Sequence, residues 1–211
     1  TVVTGTLRDG SFQLGEEIEI LPRRITARIR ELQTHKKIQD KVMPGTRVAM
    51  NLAGVEKEKI QRGDVIARLN QDQVIHSFIA KVEVVSTVTH PVKHNASLLL
   101  ILGTTELLAR ARIMDKDQIP PAGSGLVQFE CKTNLLARIG DHFILRLPSP
   151  QITIGGGLVL DVSPKSVKRK DQALISDLQR RESLNPSDVI LSELGKEGMI
   201  PKKEILKAGN F

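Results

Sequence analysis

Apolar and polar side chains alternate through the first 68 residues, and short glycine-containing turns break the alternation at close intervals. A period of two belongs to half-buried strands, and turns this frequent mark the strands of a small antiparallel barrel. T-V-V-T-G-T, L-G-E-E-I-E-I, P-G-T-R-V-A-M-N-L-A-G and I-Q-R-G-D-V-I-A succeed one another in this way. The pattern predicts a closed β-barrel over residues 1–69 and excludes a helical or doubly wound domain.

A second barrel is predicted over residues 70–163, with strands near 73–85, 96–102, 106–114, 125–131, 142–147 and 158–161. Met114 to Gly125 reads as a loop, because its two prolines and two glycines deny it ladder hydrogen bonds. From Ser163 the character changes. S-P-K-S-V-K-R-K is a basic linker, and Asp171 to Glu182 carries helical periodicity through Leu174, Ile175 and Leu178. Asn185 and Pro186 open a further helix, since Asn caps well and Pro suits a first turn. Gly195 and Gly198 end it, and Pro201 to Lys207 starts a third. The predicted fold class is therefore mainly β: two consecutive small barrels followed by a short α-helical segment at 164–211.

Composition narrows the classes of function. No run approaches the roughly 18–20 apolar residues of a membrane span, so no membrane partner is expected. The chain opens directly in a strand pattern, without a signal peptide. Cys131 is the only cysteine, which rules out a disulfide framework within one chain and fits a reducing cytoplasm. The net charge of +7 is uneven. Residues 1–70 hold 13 basic and 9 acidic side chains, residues 71–163 hold 8 of each, and residues 164–211 hold 10 and 7. Basic ends around a neutral middle suit a polyanion touched at selected faces, though a generally basic protein would carry the same totals. The chain has five Phe and no Tyr or Trp, and Phe78, Phe129 and Phe143 sit in apolar runs as core residues. An RNA partner would thus be held by its backbone and not by stacked bases.

The motifs of catalysis are missing. No G-x-x-x-x-G-K-[ST] loop cradles a nucleotide phosphate, and Gly155-Gly156-Gly157, within a strand-like run, reads as a close backbone approach or a bulge. His90 and His94 flank Pro91, which prevents a helix presenting both to a metal, and no cysteine or carboxylate cluster completes a ligand set. No metal, cofactor or catalytic residue is expected. In R-I-T-A-R-I-R, by contrast, Arg24, Arg28 and Arg30 share the face opposite Ile25, Ala27 and Ile29. Arg28 and Arg30 would stand roughly 7 Å apart, near the spacing of successive phosphates; a solvated strand face would look the same.

The succession of strands and turns in the first 68 residues resembles the second domain of elongation factors of the Tu type. Ala27 to His35, Gly103 to Arg112, Gly125 to Glu130 and Gly140 to Asp161 carry the likeness further, and resemble the bacterial selenocysteine-specific elongation factors. The resemblance implies a factor that brings selenocysteinyl-tRNA to a ribosome at a recoded stop codon. In that family a strand ending in Gly-x-Gly precedes T-V-V-T-G-T, so an unpaired edge is expected in the first barrel. The helices after Ser163 resemble the opening of a winged-helix domain that reads an mRNA hairpin; this segment is expected to be partly folded or disordered. GTP and Mg²⁺ would belong to a separate GTPase domain of the parent protein, and the present chain reads as its non-catalytic, tRNA-binding piece.

Residue by residue, the resemblance places Arg47, from G-T-R-V-A, in the pocket for the selenocysteinyl group. The chemistry agrees: a selenol ionises near neutral pH and a serine hydroxyl does not, so a fixed cation separates them by charge. The alternative for Arg47 is a strand-start arginine whose stem covers the barrel. The family's other pocket positions lie upstream of Thr1, so weak retention of the amino acid is expected. In the second barrel R-L-P-S-P-Q is set against the tRNA T-stem, with Arg146, Ser149 and Gln151 as candidate contacts. Gly103 stands where the general factor carries an arginine, which points to a specialised tRNA.

Overall fold

The computed structural model describes residues 1–162, 167–185 and 187–191. The chain divides into two compact units, Thr1–Gln73 and Val74–Phe211.

The first unit contains β1 (Val2–Thr6), β2 (Phe12–Gln13), β3 (Glu17–Leu21), β4 (Ile25–Thr34), β5 (Lys37–Gln39), β6 (Lys41–Val42), β7 (Arg47–Ala53) and β8 (Val65–Arg68). Its main sheet runs β1-β7-β4-β3-β8, with β5 folded back on the end of β4 and β2 paired separately with β6. The pairings are antiparallel. Alternation works as the sequence predicts: Ile18 and Ile20 of β3, and Val48, Met50 and Leu52 of β7, enter one core. Among the described residues no strand joins β8 to β1, so both are sheet edges. In β4 the register shifts between Ile29 and Glu31. This bulge lets Ile29 and Leu32, an odd number of positions apart, both face the core.

The second unit contains β9 (Ile75–Val84), β10 (Val92–Lys93), β11 (Ala96–Leu102), β12 (Thr105–Ile113), β13 (Gln118–Ile119), β14 (Ser124–Leu135), β15 (His142–Arg146) and β16 (Thr153–Asp161). Six of these close into a barrel in the order β11-β12-β14-β9-β16-β15. Its interior holds Phe78, Phe129 and Phe143, with ring centroids 5.2, 5.4 and 5.8 Å apart. The expected aromatic core is therefore present.

Two details depart from the sequence reading. The loop from Met114 to Gly125 contains β13, which pairs with β10. The last strand starts at Thr153, not near 158, because the glycine run is strand. A Cβ on Gly155 or Gly157 would run into the carbonyl of Glu83 or Lys81, and one on Gly156 would lie 2.6 Å from the Phe143 carbonyl. The run is a close backbone approach of β16 to both of its neighbours, as expected of strand glycines.

The described part of the tail is largely helical and docked on the second barrel. Helix α1 (Gln172–Arg181) is capped by Asp171, whose carboxylate accepts from the amides of Ala173 and Leu174. Its Ile175 and Leu178 pack with Ile79, Met114, Leu126 and Leu160 on the outside of the second barrel. That apolar face is what holds the segment, and the periodicity of α1 alone does not reveal it. Residues 187–191 are helical, and the Asn185 side chain accepts from the Ser187 amide at 3.0 Å, as the cap signal predicts. Gly195, Gly198 and the helix expected at Pro201 to Lys207 lie outside the described residues.

Candidate nucleic-acid interface

Arg47 opens β7 opposite Thr6 of β1. Its neighbour Val48 is buried, so the pleat turns Arg47 outward, and its side chain is exposed. Among the described residues it has no hydrogen-bond or ion-pair partner, which leaves its charge available to an outside anion.

The other arginines of the first unit differ in this respect. Arg24 does not lie on the face of β4. It occupies the turn before that strand, with φ +57°, and donates to the buried carboxylate of Glu19 at 3.2 Å. Arg28 does sit on the exposed face, where its cross-strand neighbour Glu17 holds it at 2.8 Å. Arg30 is exposed and falls within the bulge, which interrupts the even spacing from Arg28 that simple alternation predicts. Its guanidinium has no partner among the described residues. Of the three, Arg30 alone presents an unengaged cation.

In the second unit Arg146, Ser149 and Gln151 come together at the β15–β16 connection. The Arg146 guanidinium donates to the backbone carbonyl of Gln151 at 2.6 Å, and the Leu147 amide donates to the Ile152 carbonyl at 2.9 Å. Arg146 thus fastens the loop that exposes Ser149 and Gln151. Gly103, with φ +59°, meets the left-handed requirement of the tight turn between β11 and β12.

Two further basic features escaped the sequence reading. Arg110 of β12 is opposite Ser97 of β11, and Arg146 is opposite Leu99. Leu98 and Leu100 point into the barrel, so Arg110 and Arg146 flank one outer face across β11. Arg110 is exposed and has no partner among the described residues. In the first unit the β4–β5 turn sets His35, with φ +50°, and Lys36, with φ +65°, at a hairpin tip beside Lys37, all three exposed. The sequence carried a signal for the tip, three consecutive basic side chains in His35-Lys36-Lys37. It carried none for Arg110, whose neighbour across β11 depends on barrel closure.

Two titrations are shifted. Asp117 is held below the usual carboxylate range, first by the hydrogen bond from Arg169 and then by Lys170. Burial pushes the Cys131 thiol up to about 12. Neither group lies among the arginines described above. No cluster of three His, Cys, Asp or Glu suited to a metal exists among the described residues, and none of their helices is long and apolar enough to cross a membrane.

Comparison with known proteins agrees with this architecture. Residues 1–67 match the family model for elongation factor Tu domain 2, and residues 79–166 match the β-barrel domain of selenocysteine-specific elongation factor. The fold and these matches define a pair of translation elongation factor barrels. More particularly, its second barrel matches that of the selenocysteine-specific elongation factors, and proteins of that description are among its relatives. It is 34% identical over 182 residues to the selenocysteine-specific elongation factor of Desulfomicrobium baculatum, covering 84% of this chain and 28% of that protein. The factor of the same description from Methanocaldococcus jannaschii is 29% identical, with 80% and 40% covered. Elongation factor 1-alpha of Metallosphaera sedula is 27% identical, with 81% and 43% covered. The chain therefore spans under half the length of these relatives. In fold it is similar to the apo crystal structure of translation elongation factor SelB from Methanococcus maripaludis, with TM-score 0.68 and 23% identity, covering 77% of this chain and 38% of that one.

Proposed function

We propose that the two barrels grip selenocysteinyl-tRNA within a GTP-dependent elongation factor that works at the ribosome in the cytoplasm. The observation that carries this reading is the match of residues 79–166 to the selenocysteine-specific β-barrel. It is joined to an exposed, unengaged Arg47 at the start of β7. A cation there attracts a selenolate and gains nothing from a neutral hydroxyl, so discrimination rests on charge. Arg30 and the loop of Arg146, Ser149 and Gln151 supply contacts to the RNA backbone; Arg24 and Arg28, already tied to Glu19 and Glu17, are secondary candidates.

The residues present do not fit a nucleotide. The sequence has no phosphate loop, and no GTP or Mg²⁺ chemistry is assigned to them. GTP binding belongs to a nucleotide-binding domain of the whole factor, and reading an mRNA hairpin belongs to winged helices beyond the barrels. The chain's own part is non-catalytic: it holds the adaptor RNA and docks the GTPase domain.

Filter binding of selenocysteinyl-tRNA to the 211-residue chain across a salt series tests the grip. Contact with several phosphates requires log K to fall linearly with log salt; a flat line would favour a barrel that binds only proteins. In the whole factor, Arg47→Ala is expected to weaken selenocysteinyl-tRNA binding about tenfold, the order of one charge-assisted hydrogen bond, and seryl-tRNA binding far less. Equal losses would remove the discriminating role. The elongation factor 1-alpha relatives favour a second reading, a general aminoacyl-tRNA carrier. Indifference of the wild-type factor to the esterified amino acid would select it.

A further inference from the structure

The family model for the second barrel ends at residue 166, yet the barrel's outer apolar face is covered by residues that follow it. Ile79, Met114, Leu126 and Leu160 point outward, beside inward-facing Ala80, Ile113, Val127 and Val159. Ile175 and Leu178 of α1 bury this face, with Val167 and Leu174 at its margin.

Polar fastenings hold the same segment at both ends. Before the helix, Arg169 donates to the carbonyls of Ile113 at 3.0 Å and Lys116 at 2.9 Å, and to Asp117 at 3.0 Å. The Lys170 amide donates to the Met114 carbonyl at 2.8 Å. After it, Arg181, only 2% exposed, donates to the Leu160 carbonyl at 3.1 Å. Lys81 of β9 donates to both carboxylate oxygens of Glu182, at 2.9 and 3.2 Å. Farther on, Leu184 packs toward Gly140, and buried Val189 joins the inner core of the barrel.

A helix as short as α1 is marginal by itself in water, so its order derives from what it is docked on. The Arg181 guanidinium, buried and bonded to a strand carbonyl, adds a polar contact to the apolar one at the far end of the helix.

We infer that residues 167–185, together with 187–189, are a strap that completes the second barrel, so that the barrel and the helix begun at residue 187 move as one rigid body. The folding unit thus reaches beyond the family boundary, and a displacement of the barrel is transmitted directly to whatever that helix carries. The inference stands apart from the tRNA assignment, and its test needs no RNA.

The test is hydrogen exchange by mass spectrometry on the full 211-residue chain. The amides of α1 are expected to be protected to within about tenfold of those of β9 and β16, because they open only with the barrel. Exchange in α1 more than about a hundredfold faster than in those strands would overturn the strap. Arg169→Gln supplies the second arm, since it loosens one fastening and leaves the apolar contact intact. In a single cooperative unit it accelerates exchange by the same factor in α1, β9 and β16. Acceleration confined to α1, or no acceleration anywhere, would overturn the inference.

Discussion

Gly157 carries the least replaceable backbone in the second barrel. A Cβ there meets the Lys81 carbonyl and lies 2.6 Å from the Phe143 ring, so two strands and an aromatic of the core must shift to admit it. Overpacking of this kind costs about 1–3 kcal/mol, and backbone yields less readily than side chains. Gly157→Ala is expected to destabilise the second unit by about that much, read as a lower urea midpoint. Gly5→Ala has open space around its Cβ and should stay within about 0.5 kcal/mol. Equal effects of the two substitutions would show that the approach of β16 to β9 does not constrain the fold. Cys131, also in this barrel, tests burial by pH. Its folded-state pKa of about 12 lies above the ordinary 9.0, so the native state holds the proton more tightly than the unfolded chain. The stability this contributes is fully present below pH 9 and is lost as pH rises from there toward 12. At pH 8 a disulfide reagent should label the unfolded chain quickly and the native chain slowly; rapid native labelling would contradict the burial.

Among elements, the strands were legible and their exceptions were not. Alternation gave β7, and β4 up to its bulge, their inward and outward faces, since a period of two survives any arrangement of neighbours; β3 is buried on both faces from Ile18 to Leu21. The bulge at Ile29–Glu31 escaped because it depends on the partner strand β7, and with it went the even spacing of Arg28 and Arg30. The same limit applies to Arg28, whose exposure followed from the pattern while its engagement by Glu17 required the β3–β4 register; Arg24 left the pattern altogether, because it sits in the turn before β4 and not on its face. Arg47 was legible as an exposed strand-start cation because its own neighbours decide that; its freedom from any partner was not. The docking of the tail was not legible for a related reason. The periodicity of α1 was visible, but the apolar face that receives it is assembled from β9, β14 and β16, far apart in sequence. The cap, being local, was readable in Asn185 and is equally plain in Asp171. Asp171→Ala removes a carboxylate that accepts from two amides and is expected to cost about 1 kcal/mol, measured as faster exchange in α1. Unchanged exchange would mean that docking alone orders the helix.

At the scale of the molecule, the net charge of +7 says less about partners than which cations remain unengaged. The first unit is basic by count, yet Arg23, Arg24, Arg28 and Arg68 are all paired with carboxylates. The Arg28–Glu17 pair is exposed on both sides, and pairs of that kind are worth about 0–1 kcal/mol, so a phosphate can compete for Arg28 at little cost. Arg30 has nothing to give up. The two positions should therefore respond differently. Arg30→Ala is expected to reduce the slope of log K against log salt for tRNA binding by about 0.7–0.9, the share of one phosphate contact. Glu17→Gln removes the competitor of Arg28 and should raise affinity a few fold at low salt, with the gain fading as salt screens the freed charge. Both are read in the same filter-binding series on the 211-residue chain. If Glu17→Gln changes nothing while Arg30→Ala flattens the slope, only the bulged end of β4 meets RNA. If neither changes it, β4 is a solvated strand face, and the hairpin tip at His35 to Lys37 and the pair Arg110 and Arg146 on the second barrel are the next positions to substitute.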